Sequence, residues 1–115
     1  MASSDQAQPE IPEIGIAALA SLRAAGGIRL IDVREPDEYA VAHVPGAVLL
    51  PLGTVPERIG EIGEGPLHII CKSGGRSMQA AFFLAAHGIE CTNVAGGTDA
   101  WVAAGHDVAT GDNPA

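Results

Sequence analysis

The stretch Cys71-Lys72-Ser73-Gly74-Gly75-Arg76-Ser77 gathers the requirements of a nucleophilic sulfur into seven residues. A thiol acts as a nucleophile when it ionises near neutral pH, which backbone N–H groups, a helix N-terminus or nearby cations can bring about. Two glycines allow the backbone to curl tightly, so that successive N–H groups converge into an anion-binding nest. Lys72 and Arg76 are two of only six basic residues in the chain, and both would make this cup locally positive. All these effects favour thiolate, and they place the Cys71 pKa below the free value of about 8.5. A buried small hydrophobe at a strand end would account for Cys71. It would leave the paired glycines and the cations without a purpose.

The elements that must position this loop are legible on either side of it. "PLHIIC" is an apolar, β-branched run that predicts a strand ending at Cys71. "SMQAAFFLAAHG" is apolar nearly all round and closes on Gly88, which predicts a buried helix starting at about Arg76 or Ser77. Upstream, "IGIAALASLRAAGG" reads as a helix with a glycine C-terminal cap, and "IRLIDV" as a buried strand. Pro36 opens a short helix, with Asp37 and Glu38 near its positive end. "AVLLP" is a strand stopped by Pro51, and "TVPERIGEIG" a short helix capped by Thr54. "IECTNV" is the last strand, and "AGGTDAWVAAGH" a glycine turn leading into the last helix. Apolar strands alternating with helices predict a mostly parallel sheet covered on both faces, with ligands at the carboxyl ends of its strands. Cys71 stands at one of those ends.

At 115 residues the chain suits one domain, expected over residues 11–108, with flexible tails at 1–10 and 109–115. Six Lys and Arg against fourteen Asp and Glu give a net charge of −8, which argues against nucleic acid or an anionic lipid surface as partner. No run approaches the ~20 apolar residues of a spanning helix. The N-terminus has neither the basic nor the apolar part of a signal peptide, so a soluble cytoplasmic protein is expected. The two cysteines, Cys71 and Cys91, form no disulfide framework. Neither they nor the scattered histidines show metal-ligand spacing, so no metal site is expected.

Three segments together resemble the single-domain rhodaneses: "LIDVREPDEYAVAHVPGAVLLP" (30–51), "CKSGGRS" (71–77) and "NVAGGTDAW" (93–101). The resemblance spans about residues 11–108. It implies an α/β, three-layer fold with a five-stranded, mostly parallel sheet flanked by helices on both faces. It also implies that Cys71 carries a persulfide cradled by Lys72, Ser73, Gly74, Gly75, Arg76 and Ser77. The expected reaction is a double displacement without cofactor. Sulfane sulfur passes from thiosulfate or a related anionic donor to Cys71, then to cyanide or a thiol. A sulfur-delivery module fed by a protein such as a cysteine desulfurase, or serving thioredoxin, is the alternative. Phosphatase or arsenate reductase chemistry is the less favoured alternative, because tyrosine-phosphatase-type loops, including those of the rhodanese-like cell-cycle phosphatases, place arginine after five intervening residues. Here Arg76 follows Cys71 after four, and Ile70 rather than histidine precedes the cysteine. The shorter loop suits one sulfur better than a tetrahedral oxyanion.

The remaining polar residues read as structural. Asp32, Arg34 and Glu35 are expected to fix the strand end by ion pairs, His43 to hold a turn, and Trp101 to pack the last helix. His68 is expected to be an ordinary strand histidine. Cys91, at the start of a strand whereas Cys71 ends one, is expected to be a buried thiol beyond bridging distance. Gly15 stands where Ser or Thr often caps the first helix of the family, and Ala42 where glycine is common; neither touches the loop.

Overall fold

The computed structural model describes residues 10–115; the flexible tail expected over 1–10 lies, apart from Glu10, outside them. Five strands, β1 (Glu13–Ile14), β2 (Leu30–Asp32), β3 (Val48–Leu49), β4 (Leu67–Ile70) and β5 (Cys91–Val94), form one sheet in the order β1-β5-β4-β2-β3. Every pairing is parallel. Parallel strands need crossovers, and these are supplied by α1 (Ile16–Ala25), α2 (Pro36–Val41), α3 (Ile59–Ile62) and α4 (Gly75–Ala86), with α5 (Gly97–Ala103) following the last strand.

Strand alternation divides the core into two apolar clusters. Ile31, Ile69, Cys71 and Cys91 face α4, packing with Ala80, Ala81 and Leu84. Leu30, Ile70 and Val94 face the other way, onto Leu19 of α1, Tyr39 of α2 and Trp101 of α5. Thus β2 and β4 are neighbours whose following helices, α2 and α4, lie on opposite faces. The crevice at their carboxyl ends is the switch point where open α/β sheets bind ligands. It is bounded by the β4–α4 loop and the β2–α2 turn.

The β2–α2 turn is set by charge. Asp32 is fully buried and accepts hydrogen bonds from the Arg34 backbone N–H, Nε and Nη2 at 2.9–3.1 Å. Arg34 Nη2 also donates to the Ala42 carbonyl at 2.8 Å. The pair therefore ties both ends of α2 to the tip of β2. Glu35 acts differently from the ion-pairing role expected of it: it caps α2, its N–H donating to Glu38 Oε1 at 2.9 Å. His43 is buried, with Nδ1 2.8 Å from the Tyr39 carbonyl and Nε2 2.9 Å from that of Asn113. The residues from 109 on, expected on composition to be a flexible tail, run back along this connection. Ala109 exchanges backbone hydrogen bonds with His43, and Gly46 N–H donates to the Pro114 carbonyl, each at 2.9 Å.

Two elements depart from the sequence expectation. The segment 54–63 yields only a 3-10 turn (Leu52–Thr54) and the single-turn α3, and Thr54 Oγ1 turns back to the Pro51 carbonyl instead of capping a helix. Gly60, Gly63 and Pro56 leave too little uninterrupted chain to nucleate more. Strand β1 is a two-residue edge, too short to register as a pattern.

Removing Arg34 leaves the Asp32 carboxylate buried and uncompensated, so Arg34→Ala should lower unfolding stability in urea by about 3–5 kcal/mol. By contrast, Arg58→Ala, which breaks the exposed Arg58–Glu61 pair, should leave the midpoint almost unmoved.

Candidate active site

Cys71 closes β4 and is almost fully buried. The chain then turns through Gly74, at φ +116°, a backbone conformation that only glycine adopts without strain, and enters α4 at Gly75, one residue earlier than the sequence suggested. The first backbone N–H groups of a helix lack partners within it, and here that of Ser77 reaches the Cys71 sulfur. Gly74 N–H donates to Cys71 Sγ at 3.1 Å. Burial pushes the thiol up. The Ser77 hydroxyl and N–H, with the N–H groups of Gly74 and Ser73, pull it down further, and the net result is a thiol below its ordinary range.

The carbonyls of the loop are held away from the sulfur by α5. Thr98 N–H donates to the Cys71 carbonyl at 2.9 Å and Asp99 N–H to that of Lys72 at 3.0 Å. This close approach explains the glycine that opens α5, Gly97. A Cβ on Gly97 would lie 2.5 Å from both of those carbonyl oxygens, and its φ of +60° is itself unfavourable for any other residue. Such a side chain would force helix and loop apart.

A polar chain passes beneath the loop. Ser77 Oγ donates to Asn93 Oδ1 of β5, and Asn93 Nδ2 donates to Glu13 at 2.8 Å and to the Gly74 carbonyl at 3.3 Å. Asn93 is buried, and its bonds peg the start of α4 to two strands. No role for Asn93, Glu13 or Gly97 emerged from the sequence. The signal for Asn93 was available as one amide in an apolar strand, where a buried polar group must have partners.

The two cations do not surround the sulfur as expected. Lys72 Nζ leans outward to Asp99 at 2.8 Å, both side chains being more than half exposed. Arg76 makes a two-pronged pair with Glu38, Nη1 and Nη2 lying 2.7 and 2.9 Å from its carboxylate oxygens. The Arg76 guanidinium holds Glu38 at about 2, against the cost of burying it. In a chain so rich in carboxylates each cation has found one, and the thiolate is stabilised chiefly by N–H and O–H dipoles.

The other nominated residues lie where they cannot join this chemistry. Cys91 pairs in register with Leu67, four residues before Cys71, which puts the thiols about 13 Å apart along the strands. Burial pushes its thiol up to about 11. His68 is half-buried in β4, with burial lowering its pKa and Nδ1 lacking a partner. Trp101 is a core residue whose Nε1 donates to the Asp107 carbonyl at 2.7 Å. Among the described residues no cluster of His, Cys, Asp or Glu could hold a metal ion, and no helix is long and apolar enough to cross a membrane.

Comparison with known proteins agrees with this geometry. The family model for the rhodanese-like domain matches residues 16–104. The "Putative sulfurtransferase YtwF" of Bacillus subtilis is 39% identical over 94 residues, which cover 80% of this chain and 91% of that protein. The "Putative sulfur carrier protein YrkF" of the same organism is 39% identical over 102 residues, and there the match spans 55% of the relative's length. A crystal structure of a rhodanese-related protein from Thermoplasma volcanium superposes with a TM-score of 0.79 at 27% identity, covering 85% of this chain and 97% of that one. With a parallel sheet, a cysteine loop at its switch point and a family match across most of its length, the chain belongs to the rhodanese-like domain family.

Proposed function

We propose that the protein is a sulfurtransferase that works through a persulfide on Cys71. The observation that carries this reading is the orientation of the β4–α4 loop, with N–H groups turned toward Sγ and carbonyls turned away. The Cys71 thiolate attacks the outer sulfur of a sulfane donor such as thiosulfate; the S–S bond of the donor breaks, and sulfite leaves with its electron pair. The transferred sulfur, now the outer atom of an anionic Cys71 persulfide, lies about 2.05 Å beyond Sγ. The N–H groups of Ser73, Gly74 and the first turn of α4 suit the negative charge at both stages. An acceptor nucleophile, cyanide or a thiol, then takes the outer sulfur and returns Cys71 to thiolate. No general base is required once Cys71 is ionised, the state that its lowered pKa favours.

Ser77 has one hydroxyl proton, and its acceptors are the Asn93 amide oxygen and the Gly74 carbonyl. As Cys71 ionises, the sulfur becomes the stronger acceptor, and a small rotation brings the proton to it. Phosphate-ester chemistry fits less well. A longer loop would be needed to surround a tetrahedral oxyanion, and α5 occupies the space into which it would grow.

Intact-mass measurement after incubation with thiosulfate should show one added sulfur atom on the wild type and none on Cys71→Ala. Release of phosphate from an aryl phosphate without any sulfur uptake would overturn the reading. The pH profile of thiol alkylation tests the electrostatics. Because the Cys71 pKa is lowered, the alkylation rate should fall off at a lower pH than that of an ordinary free cysteine. Ser77→Ala removes a donor to the thiolate, so the whole profile should move to higher pH. An unshifted profile would show that Ser77 serves only the fold.

A further inference from the structure

The single hydroxyl proton of Ser77 has two strong claimants. The hydroxyl lies beside Cys71 Sγ, which would accept the proton as a thiolate, while Asn93 Oδ1 accepts it in the structure. Ser77 and Asn93 are both buried, so water cannot serve whichever claimant goes without. The third acceptor in reach, the Gly74 carbonyl at 3.2 Å, is already supplied by Asn93 Nδ2 at 3.3 Å and by the Met78 N–H at 3.2 Å. A bond gained by Cys71 is therefore a bond lost by Asn93.

How strongly Asn93 competes is set from outside the loop. Its Nδ2 donates to Glu13 Oε2 and to the Gly74 carbonyl. Both of those are acceptors, so the amide must turn its nitrogen to them and its oxygen to Ser77. Glu13 stands on the edge strand β1 and is exposed, yet it pairs in register with Asn93 of β5. A charged acceptor on the N–H side of an amide polarises it and makes the oxygen at its other end a better acceptor. Glu13, Asn93, Ser77 and Cys71 thus form one row of hydrogen-bonding groups, running from the sheet edge to the nucleophile.

We propose, building on the sulfurtransferase reading, that Asn93 and Glu13 are positioning residues that hold the Ser77 proton away from Cys71 except when Sγ itself carries the charge. While Cys71 is a thiol, or bears a persulfide whose charge lies one S–S bond further out, the hydroxyl stays on Asn93. When Sγ is the anion the hydroxyl turns to it, and the Asn93 oxygen is left buried without its donor. That orphaned oxygen opposes ionisation, and Glu13 increases the opposition. The thiolate is therefore stabilised without being made inert, since a sulfur whose charge is held too well is a weaker nucleophile. The proton remains on Oγ throughout; only the direction of its hydrogen bond changes.

The pH profile of Cys71 alkylation, with urea unfolding measured alongside, tests this. Asn93→Leu removes the competing acceptor while Ser77 retains the Gly74 carbonyl, so the profile should move to lower pH by about half a pH unit. Glu13→Gln, an exposed change that keeps an acceptor but removes the charge, should move it the same way by less. In Ser77→Ala neither substitution should move the profile further, because the hydroxyl that carries their effect is gone. A merely structural Asn93 would lower stability and leave the profile in place or, by loosening the loop, move it to higher pH; either result would overturn the inference. So would a Glu13→Gln profile that does not move, or one whose shift persists in Ser77→Ala, where the charge would be acting through space. Alkylation needs no sulfur donor, so a wild-type protein that takes no sulfur from thiosulfate would overturn the sulfurtransferase reading and leave this row of hydrogen bonds standing.

Discussion

Everything at this site depends on which way seven peptide units face. A backbone loop offers N–H groups and carbonyls in equal number, and a sulfur anion tolerates only the former nearby. The fold sorts them by supplying the carbonyls of Cys71 and Lys72 with donors from the first turn of α5. The loop N–H groups are thereby left to face inward, where the start of α4 adds more of the same polarity. A strand, a loop and two helices from different parts of the chain converge to aim a few dipoles, and Gly97 at the start of α5 is what lets them meet.

An ion stabilised by dipoles has different properties from one stabilised by counter-ions. Fixed N–H groups in a covered site are little affected by salt, and they need no reorganisation when the charge moves outward from one sulfur to the next. The cations meanwhile do structural work. Arg76 links the reacting loop to α2 through Glu38, and Arg34 links α2 to β2 through Asp32. The switch-point crevice is thus laced across by charge pairs, while its centre relies on the backbone.

The sequence announced this fold most clearly where one residue pattern decided one element. The apolar run before Cys71, the small-residue helix closing on Gly88 and the Pro36 helix start were all legible, because period, length and punctuation agreed. The loop was legible too, since cysteine, paired glycines and a following helix leave few geometries open. What could not be read were relations between distant residues. Ser77 and Asn93 are 16 positions apart and Asn93 and Glu13 are 80, so their bonds exist only once β1, β5 and α4 have been stacked. The mistaken expectation of free cations has the same origin. Composition counts Lys72 and Arg76 correctly, but only the packing of α2 and α5 brings Glu38 and Asp99 against them.

The contact of Gly97 with the reacting loop also bears on how such a protein could change its chemistry over generations. Inserting one residue between Cys71 and Arg76 is a single genetic event, yet the enlarged ring would run into a helix already at contact distance. To admit a bulkier oxyanion, α5 would have to withdraw at the same time, giving up the support of Trp101 and Val94 beneath it. Neighbouring chemistries that look one codon apart are separated here by the repacking of half a core.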